Sequence, residues 1–147
     1  MNGKKFMRTM ILALALVLAL GSTALAKVSI EGAPPAKAKE GAFDVTKFPD
    51  AAKAGEIVVI DVRTLGEFAM GHLPEATNVP IATSLEGELK NFDKEKTIVF
   101  MCAKGKRAGT AYYMVKDKRP ELAKAFFLDA SIQYLPGGKV VITPNKE

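Results

Sequence analysis

Cys102 is the only cysteine in this 147-residue chain, and Lys104, Gly105, Lys106 and Arg107 follow it within five residues. The surrounding stretch, "IVFMCAKGKRAGTAYYMV", sets the thiol between an apolar run and a segment with helical spacing. Backbone N–H groups at the start of a helix lack internal partners, and the aligned peptide dipoles place partial positive charge there. A thiolate held at that point is stabilised, and so is a small anion that it attacks. An unperturbed thiol has a pKa of about 8.5, and such a setting brings it toward neutrality or below. Gly105 lets the loop curl so that successive amides converge on an anion. Lys104, Lys106 and Arg107 add full charges, and a guanidinium at 107 can fork onto an oxyanion. The combination describes a nucleophilic thiolate built to meet a small anion. A free cysteine is more commonly a buried hydrophobe, and three cations within five residues tip the balance toward reactivity. His72 is the only histidine and there is no second thiol, so a metal site has little support. A cysteine–histidine dyad stays open, although His72, between Gly71 and Leu73, reads better as a hydrogen-bonded structural residue in a turn.

Elements must hold that thiol at a strand-to-helix join. "IVVID" at 57–61 and "TIVFM" at 97–101 are β-branched apolar runs of the kind found in strands covered on both faces. Thr64 can cap a short helix over "LGEFAMG" that stops at Gly71. A brief strand is expected near 76–79, between Pro74 and Pro80, and a helix over "SLEGELKNF". Ala108, Ala111, Tyr112 and Val115 fall at i, i+3, i+4 and i+7, the stripe of an amphipathic helix that should end before Pro120. "ELAKAFFLD" gives a short helix and a strand around 126–128, and "IQYLPGGKVVITPN" a hairpin around 136–138. Strands alternating with helices predict an α/β domain with a mostly parallel sheet. Reactive groups in such sheets gather at the carboxyl ends of strands, where Cys102 falls.

The first 26 residues read as a secretory signal peptide: a basic start, an apolar run shorter than a bilayer span, and small residues at 24 and 26. Cleavage after Ala26 would leave 121 residues with no stable membrane anchor, exported to the periplasm or secreted. It would remove Lys4, Lys5 and Arg8 and no acid, lowering the formal charge from +5 to +2. No arginine-rich face or basic run supports nucleic-acid binding. A lone cysteine in an exported chain cannot form an internal disulfide. Residues 27–41 are small, proline-containing and charged and read as a flexible linker, with one domain over 42–143 and a loose tail over 144–147.

Two segments resemble the rhodanese family of sulfurtransferases. "IVVIDVRTLGEFAMGHLPEATNVP" is similar to that family's first signature, with Asp-x-Arg, Glu-Phe, Gly-His-x-Pro and Asn-x-Pro in order, and "TIVFMCAKGKRA" to its second, Cys-x-x-Gly-x-Arg-Ala after a strand. The resemblance implies a rhodanese-like fold, a small mostly parallel sheet flanked by helices on both faces. It implies that Cys102 carries sulfur as a persulfide, cradled by the amides of Ala103, Lys104, Gly105, Lys106 and Arg107. Asp61, Arg63, Glu67 and His72 would be supporting residues, with an Arg63–Glu67 pair at i, i+4 bracing the site. The donor would be a small anion such as thiosulfate and the acceptor cyanide, a thiol or a protein, with no metal or organic cofactor. Phosphatases sharing this fold place five residues between cysteine and arginine where this chain has four, and usually a histidine where it has Met101, so phosphatase activity is the weaker reading. A carrier of persulfide or sulfide for a partner protein, without turnover, is the second reading, and an inert partner-binding scaffold the third. The family's usual Gly-Gly and tryptophan after the last core strand are missing: Asp129 and Ala130 stand there, and Tyr134 is the candidate replacement for the aromatic.

Overall fold

The computed structural model describes residues 27–35 and 37–146. The expected leader, 1–26, lies outside the described residues. In chain order the elements are β1 (Lys27–Ile30), α1 (Phe48–Lys53), β2 (Val58–Asp61), α2 (Leu65–Met70), β3 (Ala76–Asn78), α3 (Leu85–Glu88), β4 (Ile98–Met101), α4 (Lys106–Lys118), β5 (Ala125–Phe127), β6 (Ala130–Leu135) and β7 (Lys139–Pro144). Short 3-10 turns follow α3 at Leu89–Asn91 and join β6 to β7 at Pro136–Gly138.

Four strands form a sheet in the order β3-β2-β4-β5, every neighbouring pair parallel. β4 is buried at every position, as its unbroken apolar sequence predicts for a strand covered on both sides. Successive side chains leave opposite faces, and the core divides accordingly. Ile60, Ile98 and Phe100 pack with Ala108, Ala111, Tyr112 and Val115 of α4 on one face. Val59, Val99 and Met101 pack with Phe48, Ala51 and Ala52 of α1 on the other. That second cluster also takes Ala130, Ile132, Val140 and Ile142 from a three-stranded sheet, β1-β7-β6. The expected mostly parallel sheet with helices on both faces therefore stands, with a second small sheet added.

Three expectations are corrected. The linker over 27–41 begins with β1, which pairs in parallel with β7 from Lys27↔Lys139 to Ile30↔Ile142. Its later residues are also held: Lys39 meets Asp129 at 2.8 Å, and Gly41 lies under the Tyr112 ring and accepts the Phe127 N–H at 2.9 Å. At the other end, β7 runs through Pro144 and Asn145 is hydrogen-bonded, so the tail over 144–147 is ordered at least to Asn145. The short helix expected after Pro120 is instead a pair of turns, Leu122 N–H to Arg119 O and Ala125 N–H to Leu122 O, because too few residues separate the proline from β5 for a second helical turn. No helix among the described residues is long and apolar enough to cross a membrane.

Candidate active site

β2 and β4 lie side by side with Asp61 opposite Met101, so the sheet's carboxyl edge brings Asp61, Arg63 and Cys102 together. Cys102 is only 2% exposed and packs with Ile60, Phe100, Ala108 and Ala111. Its Sγ accepts the backbone N–H of Ala108, in the first turn of α4, at 3.4 Å. That donor lies one residue beyond the run expected from the motif. The amide N–H groups of residues 103–107 themselves donate to no group among the described residues, which leaves five consecutive donors open at the mouth of a 13-residue helix. Gly105, at φ 82°, makes the left-handed turn that curls the loop into α4.

The outer side of the loop is fastened to β6 and to the end of the chain. Ile132 N–H donates to the Ala103 carbonyl at 2.9 Å, and Asn145 Nδ2 donates to the Lys104 carbonyl at 3.1 Å. Gly105 is buried under these residues: a Cβ there would come within 2.9 Å of Asn145 Nδ2 and 3.1 Å of Asp129 Oδ1.

The two site arginines are both engaged within the chain. Arg63 is buried; its Nε and Nη2 grip the Asp61 carboxylate at 2.7–3.0 Å, and Nη2 also donates to Gly71 O at 2.7 Å. Its guanidinium carbon lies 4.8 Å from the centre of the Tyr134 ring. The expected Arg63–Glu67 brace is absent. Thr64 is the N-cap of α2, so Arg63 precedes the helix and does not share a helical face with Glu67. Glu67 instead receives Arg107 in a two-pronged bond, Nη1 to Oε2 and Nη2 to Oε1, both 2.7 Å. Arg107, with a side chain about a third exposed, is thus paired with Glu67, and the Cys102 side chain adds to that carboxylate in raising its guanidinium above its ordinary range. Its hydrogen bonds hold the Glu67 carboxyl down to about 2, with the Thr64 hydrogen bonds adding to the effect. Lys104 and Lys106 are exposed and form no ion pair among the described residues, so they supply the loop's uncommitted charge.

His72 behaves as a structural residue: Nδ1 bonds to Phe68 O at 2.9 Å and the ring stacks on Phe68 at 3.9 Å. Tyr134 packs against Gly71 and over Arg63, where burial pushes its phenol up and keeps it neutral. Three supporting residues escaped the sequence reading. Asn78 donates from Nδ2 to Asp61 O at 3.0 Å and Arg63 O at 2.9 Å, holding the turn after β2; the Asn-x-Pro element was its signal. Asn145 and Asp129, joined at 2.8 Å, stand behind the thiol loop, and only the unusual acid at 129 hinted at them. No group of three or more potential metal-ligating side chains occurs among the described residues.

The arrangement is that of a single thiol beside open amides, without a general base bonded to it. The chain is 33% identical over 88 residues to the HTH-type transcriptional regulator Rv0324 of Mycobacterium tuberculosis, covering 60% of this chain and 38% of that protein. It is 31% identical over 90 residues to the adenylyltransferase and sulfurtransferase MOCS3 of Drosophila ananassae, covering 57% of this chain and 20% of that protein. The chain therefore matches well under half the length of either relative. Among solved structures, the human single-domain sulfurtransferase TSTD1 shares the fold with a TM-score of 0.52 at 23% identity, over 60% of this chain and 88% of that one. SSP1007 from Staphylococcus saprophyticus shares it with a TM-score of 0.51 at 24% identity, over 61% and 87%. The family model described as Rhodanese-like domain matches residues 44–140, and with the thiol loop at the head of α4 and the Asp61–Arg63 turn beside it, the chain belongs to the rhodanese-like family.

Proposed function

We propose that this protein is a sulfurtransferase in which Cys102 carries sulfur between a small anionic donor and a thiophilic acceptor. The observation that carries the reading is the Cys102 Sγ at the head of α4, bonded by the Ala108 N–H and followed by five unengaged amides. The Cys102 thiolate attacks the sulfane sulfur of a donor such as thiosulfate; the donor's S–S bond breaks and sulfite leaves with the electron pair. The terminal sulfur of the resulting persulfide is stabilised by the loop amides and by Lys104 and Lys106. Cyanide, a thiol or a protein acceptor then attacks that sulfur, and the Cys102 thiolate departs, ready for another cycle. Nothing in this sequence calls for a metal or organic cofactor. The four-residue spacing to Arg107, and its engagement with Glu67, weigh against the phosphatase reading, in which an arginine must be free to grip phosphate.

The decisive experiment is thiocyanate production from thiosulfate and cyanide. The wild-type chain should turn over, and Cys102→Ser should abolish turnover; a mutant with full activity overturns the assignment.

A second reading, a carrier that holds persulfide for a partner without free turnover, is favoured by the burial of Cys102 at 2% exposure. Gain of one sulfur in intact mass after thiosulfate treatment, with no release to small acceptors, would establish it; release to cyanide would exclude it. We also propose export to the periplasm or beyond through the leader over 1–26. Intact mass of the protein recovered from cells should then correspond to a chain beginning at Lys27, and retention of the full sequence would refute the cleavage.

A further inference from the structure

Asn145 lies outside the region matched by the family model, yet its side chain reaches the loop that follows Cys102. Its backbone N–H and both polar atoms of its side chain are held. The backbone N–H donates to Asp129 O at 3.1 Å, Nδ2 donates to Asp129 Oδ1 at 2.8 Å and to Lys104 O at 3.1 Å, and Oδ1 accepts from Ser131 Oγ at 3.2 Å. Asp129 is 8% exposed, and Lys39 meets its other oxygen, Oδ2, at 2.8 Å. The N-terminal arm, β6 and the end of β7 thus meet at one point behind the thiol loop.

The consequence for the thiol follows from peptide geometry. In a planar trans peptide unit the C=O and the following N–H point in opposite directions. Fixing the Lys104 carbonyl toward Asn145 therefore turns the Gly105 N–H to the opposite side of the loop, away from the tail. The Ile132 bond to the Ala103 carbonyl does the same for the Lys104 N–H. Two of the five open amides are aimed by bonds made on the far side of the backbone. Gly105 fits this arrangement because its missing Cβ leaves space for Asn145 Nδ2 and Asp129 Oδ1, and because φ 82° is accessible to it.

We propose that Asn145 is a positioning residue for Cys102: by pinning the Lys104 carbonyl it aims the Gly105 amide into the thiol loop, and with Lys39 it satisfies the Asp129 carboxylate that stands behind that loop. Its role in turnover rests on the sulfur-transfer reading, whereas its effect on the thiol does not. Asn145 touches neither the sulfur nor a donor; it acts through the backbone.

The test is the pH dependence of Cys102 alkylation by iodoacetamide in the full chain. In Asn145→Ala the midpoint should rise by roughly half to one pH unit, since amides that face an ionised sulfur favour its charged form. Asn145→Gln, which keeps the amide donors on a longer arm, should recover part of the shift, and a purely structural role would not produce that recovery. Asn145→Leu preserves volume without donors and should repeat the alanine result, which covers the case of an alanine variant that does not fold. Thiocyanate turnover of Asn145→Ala should fall about tenfold, matching a shift of one pH unit and short of the roughly hundredfold loss of a donor removed outright. Alkylation profiles of the alanine and leucine variants superimposable on wild type overturn the proposal. A wild-type chain that makes no thiocyanate defeats the sulfurtransferase reading instead, and the alkylation comparison still decides the role of Asn145.

Discussion

Arg63 and Arg107 each face a carboxylate of their own chain, and the two pairs differ in kind. The Asp61–Arg63 pair is sealed, with side chains 0% and 6% exposed, while Glu67 and Arg107 remain about a third exposed. The Glu67–Arg107 pair has a readable pH signature. Glu67 titrates at about 2 in the fold against 4.5 for a free glutamate, so its stabilisation is fully present above about 4.5 and is lost as the pH falls through about 2. Solvent screening limits the contribution to about 1 kcal/mol at most. The thermal unfolding midpoint of Glu67→Gln should therefore lie below wild type by a constant gap at neutral pH, and the gap should close as the pH is lowered toward about 2. These partners were hidden in the sequence. Spacing offered Arg63 and Glu67 at i, i+4, but helical spacing applies only when both residues are in the helix, and Glu67's true partner is forty positions away. Cys102, by contrast, was legible, because a strand, a thiol, a glycine and three cations occur in one uninterrupted stretch.

At the level of elements, α2 has no buried residue and is secured by its ends. Thr64 Oγ1 accepts the Glu67 N–H at 3.2 Å, and the Glu67 carboxylate accepts the Thr64 N–H at 3.0 Å, a reciprocal cap at the helix start. Thr64→Ala should lower stability by about 1 kcal/mol, read as a lower denaturant midpoint with unchanged slope. An unchanged midpoint would mean that the bond to Arg107 alone holds α2. Elements whose evidence is local were visible in advance: the β-branched runs of β2 and β4, the buried stripe Ala108, Ala111, Tyr112 and Val115 of α4, and this cap. β1 was not visible. Its four residues are strand-forming only because β7 lies beside them, and Ala33, Pro34 and Pro35 just beyond suggested a linker. The short helix expected within "ELAKAFFLD" failed for the complementary reason, since local propensity there yields to the demands of β5.

For the whole molecule, the small sheet and the large one share a single core. Ile142 of β7 is fully buried in the cluster that also contains Val99, Met101 and Leu128. Ile142→Ala should cost about 2–5 kcal/mol. Near-UV and far-UV signals should still move together in one transition, because the small sheet and one face of the large sheet are buried in the same cluster. Two separate transitions would show the sheets to be independent. No short-range pattern announces this union, because β1 and β7 pair residues more than a hundred positions apart. The parallel register between them also sets where attachments can go. Lys27 lies opposite Lys139, at the far end of β7 from Pro144, roughly 20 Å from Asn145 at about 3.3 Å per strand residue. A fusion partner attached at Lys27 therefore joins on the side remote from the sulfur, whereas a purification tag added after Glu147 begins two residues beyond the side chain bonded to the thiol loop.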